Sequence, residues 1–284
     1  MNFFILVIFF IYSIDLVNFS KAVMKPSPEF CPVSLKQRLK TRIYSKHWFG
    51  ELPQPRDSQK PLLIHDIFII SFNLEKKFPL WVAYHLSPAL VWGDLKLRRK
   101  YVLDPFLSPS QSLTFEDYKG ASHCDNKKTG YDKGHLAPLG SFKNSVHAYQ
   151  AQYLSNIVPQ TRKLNQGPWR RLEEQVRDFV KKGNELRILT GPIFGKEGED
   201  KTPPCWKAAQ GKLEEIPVSY WKIVAFKHKS NIKACAFLMP QNIKNQKDPP
   251  KKYEVRLEQI EQKTDLKLFT ATKKTVSQDC RFLF

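Results

Sequence analysis

The sequence is poor in acidic residues. Its 284 residues include 27 Asp and Glu against 46 Lys and Arg, so the formal net charge is +19, and the pI is near 9.7. Such an excess of positive charge attracts polyanions, with nucleic acid as the first expectation, an anionic membrane as the second and a heparin-like glycan as the third. The net charge alone does not show which of these partners the protein binds. It is also compatible with a protein whose many lysines serve only to keep it soluble.

The sequence also lacks internal repeats and low-complexity segments. Hydrophobic residues make up 42% of it and aromatic residues 13%, a composition that excludes a mostly disordered chain. The length is enough for one large domain or two small ones with a sizeable core.

Cysteine is scarce, and the C-x-x-C pattern typical of structural zinc sites does not occur. The cysteines are Cys31, Cys124, Cys205, Cys235 and Cys280. In an exported protein this odd number permits at most two internal bridges and leaves one thiol over. The spacing does not say which cysteines pair.

No Lys or Arg precedes the apolar run at 3–14, which has the length of a signal-peptide core and is too short to span a bilayer comfortably. Small residues lie three and one positions before a cut after Ala22, so we expect a signal peptide over 1–22. A mitochondrial transit peptide should be rich in Arg and poor in acid, whereas here the first base is Lys21 and Asp15 interrupts the run. The expected localisation is secreted or periplasmic, with anchoring to the membrane by an uncleaved signal as the alternative. No later segment has the length and apolarity of a membrane span.

Strands and helices are mixed without strict alternation, which predicts an α+β fold. A basic, proline-dotted arm is expected over 23–60, and the catalytic domain over 61–284. Apolar and β-branched runs predict strands at 64–73, 79–87, 151–160 (ended by Pro159), 186–194, 219–226 and 233–240. Helices are predicted over 164–184, with Pro168 in the first turn and Gly183 at the C-terminal cap, and over 253–265. The polar stretch 105–134 is predicted to be a long loop, and such loops are often functional.

The run YDKGHLAP at 131–138 places His135 behind three polar or flexible residues, and Asn165 and Glu173 follow further along the chain. At about 100° per residue, the eight steps from Asn165 to Glu173 leave their side chains about 80° apart on one broad helix face. If His135 ends a strand packed on this helix, a base, an amide oxygen and an acid converge.

The run Asp132-Lys133-Gly134-His135, followed by Leu-Ala-Pro, resembles the DRGH signature of the DNA/RNA non-specific endonucleases, which are ββα-metal nucleases. The second half of that signature is similar to YLSNIVPQTRKLNQGPWRRLE at 153–173. Weaker agreement occurs at 81–86, 99–105, 118–121, 189–194, 216–222 and 235–242, so the resemblance covers roughly residues 60 to 270. It implies a ββα-metal nuclease fold with a central, mostly antiparallel sheet flanked by helices.

The resemblance implies a role for each central residue. His135 is the expected general base, and Asn165 the expected protein ligand of one Mg²⁺, for which Mn²⁺ can substitute. Glu173 matches the acid that holds the water shell of the metal and helps to protonate the leaving group. An amide oxygen and a carboxylate suit Mg²⁺. Because an ordinary imidazole has a pKa of about 6.5, we expect activity to fade below about pH 6 and to disappear with chelator.

Four further residues complete the expected site. Arg99 matches the arginine that stabilises charge on the phosphate, although the neighbouring Arg98 leaves that register open. Asp132 and Asn156 match supporting positions. Lys133 stands where the family pattern usually has arginine, and lysine keeps the charge but loses the planar fork that binds phosphate at two points. A weaker or differently tuned site is therefore expected.

Together with the expected signal peptide, the resemblance implies a secreted, Mg²⁺-dependent, sugar-non-specific endonuclease that cuts DNA and RNA to 5′-phosphate and 3′-hydroxyl ends. The basic clusters at 36–46, 96–100 and 244–256 favour contact with the backbone of the substrate rather than its bases. The resemblance also implies a homodimer, and no stable membrane partner is expected. The alternatives are a catalytically weakened nucleic-acid-binding protein of the same fold and a basic membrane- or glycan-binding protein. The ordinary interpretation of the residues themselves is that Asn165 is a helix N-cap and Glu173 an exposed helix acid.

Overall fold

The structure is a computed structural model, and it describes residues 44–49, 51–53, 60–98, 100–118, 122–123, 131–195, 206–207, 216–270, 272 and 275–284. All of these belong to the unit Thr41–Phe284. The expected signal peptide and most of the expected arm lie outside the described residues. In the part of the chain described, no helix has the length and apolarity that crossing a bilayer requires.

Within the residues that the structure describes, twelve strands and the three helices named below give the fold its framework. The strands are β1 (Leu62–Ile64), β2 (Ile69–Asn73), β3 (Phe78–Leu86), β4 (Ser122–His123), β5 (Tyr131–His135), β6 (Ile157–Thr161), β7 (Leu186–Ile193), β8 (Trp206–Lys207), β9 (Ser219–His228), β10 (Asn231–Pro240), β11 (Glu254–Val255) and β12 (Val276–Gln278). The helices are α1 (Pro88–Val91), α2 (Arg170–Lys181) and α3 (Leu257–Thr264). Short turns at Arg162–Leu164 and Asn165–Trp169 lead into α2.

The central sheet has the strand order β1-β2-β3-β7-β9-β10-β11, and every neighbouring pair in this order is antiparallel. Strand β12 pairs parallel with β10. Two small antiparallel sheets lie beside this central sheet in the described residues, one formed by β4 and β8 and the other by β5 and β6. This arrangement confirms the predicted α+β class with a mostly antiparallel sheet.

Both faces of the central sheet are buried, and the alternation along β3 shows why. Trp81 and Ala83 face one layer, where Trp48 of the 44–49 segment and Ile260 of α3 cover them. Val82, Tyr84 and Leu86 face the other layer, which contains α2 and the β5–β6 hairpin. Successive side chains of a strand point to opposite faces, so an apolar strand with period two can supply two cores. Part of the segment predicted as an arm therefore packs on the sheet.

The motif YDKGHLAP begins with a strand, which corrects the predicted loop over 105–134. Tyr131–His135 pairs with Ile157–Thr161, and the predicted strand over 151–160 is itself wrong in its first half, which forms 3-10 turns. Strand β6 also continues through Pro159, opposite Lys133. A two-stranded ladder has free edges, so a residue without an N–H is tolerated there.

The hairpin is fastened to the central sheet through its second strand. The hydroxyl of Tyr220 donates to the carbonyl of Pro159 at 2.7 Å, and Gln241 Nε2 donates to the same carbonyl at 2.7 Å. Gln241 Oε1 accepts from the Thr161 N–H at 2.8 Å. These hydrogen bonds fix the position of β6 relative to the central sheet, and β5 is fixed with it because the two strands are paired.

The long helix predicted over 164–184 is kinked, which corrects its start. Gly167 has φ −107° and ψ −123°, so the chain leaves helical geometry before Pro168 and resumes it in α2 at Arg170. The calculated angle between Asn165 and Glu173 therefore does not apply. The predicted end is confirmed, because Gly183 has φ +97° and its N–H donates to the Val180 carbonyl at 3.0 Å.

Candidate active site

A cleft of about 910 Å³ opens between the β5–β6 hairpin, residues 95–97 with Tyr101, and the start of α2. Residues from the predicted site line it, namely Asp132, Lys133, His135, Asn165 and Glu173. Gln166 and Tyr101 lie among them, and Lys96, Lys143, Arg170 and Arg177 add positive charge. The fold therefore brings together residues that are distant in the sequence.

Asp132 organises the entry to the helix. Its Oδ2 accepts from Asn165 Nδ2 and from Gln166 Nε2, each at 2.9 Å, and its Oδ1 lies 3.5 Å from Arg162 Nε. The side chain of Asp132 is only 18% exposed. Because the amide nitrogen of Asn165 is engaged by this carboxylate, its Oδ1 is the atom that could serve as a ligand for a cation.

Asn156 lies beneath the cleft and is fully buried. Its Oδ1 accepts from the Ala137 N–H at 2.9 Å, and its Nδ2 donates to the carbonyls of Ala137 and Ala151, both at 2.9 Å. The Leu136 N–H donates to the Asn156 carbonyl at 3.1 Å. These bonds clamp the chain directly after His135, whose half-buried ring lies 5.8 Å from the ring of Tyr101.

Gly134 is required by a close approach within the hairpin. A Cβ at this position would lie 2.2 Å from Gln160 Oε1 and 2.5 Å from Gln160 Cδ. Gln160 is fully buried, so its side chain has little room to withdraw. The glycine before the histidine thus lets the two strands pack closely.

Lys133 projects into a group of aromatic rings. Its Nζ lies 5.1 Å from the centre of the Phe115 ring, 5.7 Å from that of Tyr101 and 5.8 Å from that of Tyr118. These distances are within the range of cation–π attraction. The ammonium is therefore held at the cleft wall by ring faces.

Glu173 has two cationic neighbours. Arg177 follows it by one turn on α2 and also lines the cleft, whereas Lys222 of β9 approaches from the core with Nζ 3.7 Å from Glu173 Oε1. Burial raises the pKa of the Glu173 carboxyl, and Lys222 and Arg177 oppose that rise. Burial lowers the pKa of Lys222 to about 8.

Lys222 and Arg177 were not among the predicted site residues. The signal for Lys222 was a lysine inside the apolar run SYWKIVAF, on the strand face that Tyr220 and Val224 share. Arg177 lies at the i+4 position from Glu173 on α2, so the two side chains lie on one helix face. Arg99, which was predicted, lies outside the described residues.

The two ordinary alternatives for Asn165 and Glu173 do not hold. Asn165 lies inside the turn that precedes α2, and the N-cap of α2 is Trp169. The side chain of Glu173 is 13% exposed rather than solvated. Both residues therefore point to the cleft instead of serving as a cap and a surface charge.

The donor set suits a hard divalent cation. The Asn165 Oδ1 and the Glu173 carboxylate are oxygen donors, and Mg²⁺ and Ca²⁺ prefer oxygen to nitrogen or sulfur. The only group of histidine, cysteine and acidic side chains close enough to form a cage among the described residues is Cys235, Glu254 and Cys280. There the two cysteines form a disulfide with Cα atoms 4.8 Å apart, so their sulfurs are not thiolate ligands.

Comparison with known proteins gives consistent similarities. The sequence model of the DNA/RNA non-specific endonucleases matches residues 53–275. The nuclease of Serratia marcescens is 32% identical over 207 residues, which cover 72% of this chain and 73% of that protein. The mitochondrial nuclease EXOG of Xenopus laevis is 27% identical over 252 residues, which cover 86% of this chain and 66% of that protein. A solved structure of the EndoG/EndoGI complex has a TM-score of 0.67 at 22% identity, covering 84% of this chain and 95% of that one, and is thus similar in fold.

Proposed function

Because this chain belongs to the DNA/RNA non-specific endonuclease family and is an enzyme that hydrolyses nucleic acids, we propose that it is a Mg²⁺-dependent endonuclease acting on both DNA and RNA. Its products would carry 5′-phosphate and 3′-hydroxyl ends. The observation that carries the proposal is the convergence of His135, Asn165 and Glu173 on one cleft with a cationic rim.

In the proposed reaction His135 accepts a proton from the attacking water. Its place at the end of β5, with the following segment clamped by Asn156, supports this role because a general base must be held within hydrogen-bonding reach of its proton. The ring of Tyr101 lies 5.8 Å from that of His135 and restricts the movement of the imidazole on one side. The base is thereby oriented by the chain before substrate binds.

Asn165 would hold the cation through Oδ1, and Glu173 would hold its bound waters. When bound, Mg²⁺ supplies charge neutralisation at the phosphate that is cleaved. Asp132 supports this arrangement because it fixes the amide of Asn165 through its nitrogen. Oxygen donors and a family of metal-dependent nucleases favour a divalent ion, and Mn²⁺ is the proposed substitute for Mg²⁺.

Cations around the cleft would bind the phosphates that flank the scissile bond. Lys133, Arg170 and Arg177 line the cleft, and we propose that Arg99 stabilises charge on the reacting phosphate. Such contacts do not read the bases, which fits cleavage of both DNA and RNA. Affinity should fall steeply with salt, since binding neutralises phosphates and releases counterions. A homodimer without a membrane partner is part of the proposal and rests on the family resemblance.

We also propose that the protein is exported after cleavage behind Ala22. The disulfide between Cys235 and Cys280 supports this location, because disulfides persist in oxidising compartments. N-terminal sequencing of protein recovered from its natural source tests the cut, and an intact Met1 would contradict it. Because its ends are 45 positions apart in the sequence, the bridge should contribute about 4 kcal/mol to stability, so reduction should lower the melting temperature markedly.

The test of the nuclease proposal uses the protein that begins at residue 23, with supercoiled plasmid and total RNA as substrates. Wild type is assayed with Mg²⁺ and with EDTA, next to Asn165→Ala and a matched control, Asn184→Ala. Asn184 only caps the Phe179 carbonyl at the far end of α2. We expect Mg²⁺-dependent cleavage of both substrates that is lost in Asn165→Ala and kept in the control.

One observation favours a second candidate, a nucleic-acid binder of the same fold with weak turnover. Lys133 replaces the usual arginine and is held by ring faces, where it cannot grip phosphate at two points. Folded wild type that binds DNA but cleaves neither substrate would support this candidate and refute the nuclease proposal.

A further inference from the structure

A lysine is buried directly behind the carboxylate of the candidate active site. Lys222 lies in the middle of β9, and its side chain is 1% exposed. Its Nζ is 3.7 Å from Glu173 Oε1 and 4.2 Å from the centre of the Trp169 ring. Glu173 in turn lines the cleft. The carboxylate thus lies between the cleft on one side and a buried ammonium on the other.

Core packing alone does not account for this lysine. Its strand neighbours on the same face, Tyr220 and Val224, are fully buried in the apolar core. Replacing a buried ion pair by apolar side chains of similar volume is often neutral or stabilising, whereas removal of one partner is costly. A lysine at this position therefore points to a purpose that involves its partner Glu173.

We propose that Lys222 is a positioning residue of the active site, which holds the Glu173 carboxylate directed toward the cleft without touching the substrate. The inference rests on the proposed function, in which Glu173 holds the water shell of the cation. A carboxylate accepts hydrogen bonds from such waters only where its oxygens face them, so its orientation matters for this role.

The charges that face Glu173 make the inference specific. Lys222 approaches from β9, Arg177 lies one turn further along α2, Glu174 is adjacent, and the buried Tyr84 faces it from β3. Lys222 approaches from the core, whereas Arg177 lines the cleft. Without Lys222 the carboxylate would lose its contact on the core side, so its orientation toward the cleft should become less defined.

The test compares kcat and KM of plasmid cleavage in Lys222→Met, Lys222→Arg and wild type. The matched control is Lys233→Met, which removes a lysine of the neighbouring strand that pairs with Asp279 at 3.1 Å. We expect kcat of Lys222→Met to fall about 10- to 100-fold, with KM unchanged because the side chain is buried. Lys222→Arg should restore part of kcat, and Lys233→Met should match wild type.

A Glu173→Gln background separates this role from a structural one. There the carboxylate is gone, so adding Lys222→Met should cause no further loss of kcat. This double variant also removes both buried charges together, which keeps the comparison available if Lys222→Met alone does not fold. A further loss of kcat in the double variant, or a folded Lys222→Met with the wild-type kcat, would overturn the inference while the nuclease proposal stands. Absence of cleavage by wild type would instead overturn both.

Discussion

Replacing Asn156 by aspartate tests how the fold holds the candidate base. The change is isosteric, but it removes the two hydrogen bonds that Nδ2 donates to the carbonyls of Ala137 and Ala151, both 2.9 Å long. It also directs a carboxyl oxygen at those carbonyls in a position that is fully buried. Only the bond from the Ala137 N–H to Oδ1 can persist.

The expected cost follows from these contacts. Each lost bond contributes about 1 kcal/mol net, and the buried carbonyls left without a donor add about 1–3 kcal/mol. The variant should therefore be less stable by about 3–5 kcal/mol, which lowers the melting temperature by roughly 10 °C for a domain of this size. Burial raises the pKa of the new carboxyl, so the folded state binds more protons than the unfolded state. The deficit must then grow as the pH rises above the unfolded pKa of about 4.

The assay is urea and thermal unfolding of Asn156→Asp at pH 5 and pH 8. The matched control is Asn184→Asp, which loses a single bond of 3.0 Å to the Phe179 carbonyl at a half-buried site. Its deficit should stay near 1 kcal/mol. If Asn156→Asp is no less stable than this control, or if its loss of stability does not grow with pH, then the buried hydrogen bonds of Asn156 do not stabilise the segment after His135.

Three further predictions concern the hairpin and the cleft. Asp132→Ala frees the amide of Asn165, so the Mg²⁺ concentration for half-maximal cleavage should rise about 10- to 100-fold, and an unchanged Mg²⁺ titration would contradict the role of Asp132. Gly134→Ala drives a Cβ into Gln160 and should cost about 1–3 kcal/mol in urea unfolding, a loss that Gln160→Ala should relieve; equal losses in both backgrounds would refute the steric cause. Lys133→Arg gains a forked phosphate contact worth about 1 kcal/mol, so KM for plasmid should fall about fivefold, and a higher KM would show that arginine does not fit among the rings.

Most of the central sheet could be predicted from the sequence, because apolar runs such as 79–87 and 219–226 are long and keep a period of two. Because both faces of these strands are buried, their sequences are hydrophobic almost without interruption, which is typical of strands covered on both sides. The weakly patterned strands β4, β8, β11 and β12 could not be predicted, because each has only two or three residues. Their pairing depends on tertiary neighbours rather than on local propensity.

The two motifs predicted residues that line one cleft, but not the geometry of that cleft. Strand β5 lies in a polar run, and its formation depends on a partner strand that lies beyond residue 150 in the sequence. The angle between Asn165 and Glu173 failed because Gly167 breaks the helix between them. In the sequence Lys222 is only a lysine within an apolar run. Its pairing with Glu173 depends on the packing of α2 against β9, which the sequence pattern does not show.

The most direct test of the central claim is chemical rescue of the candidate base. Plasmid cleavage with Mg²⁺ is measured for wild type and for His135→Ala, each with and without added imidazole. We expect the variant to lose most activity, to recover part of it in proportion to the imidazole free base, and to keep wild-type affinity for DNA. Wild-type activity in His135→Ala would show that this imidazole is not the base and that the cleft around it does not perform the reaction as described.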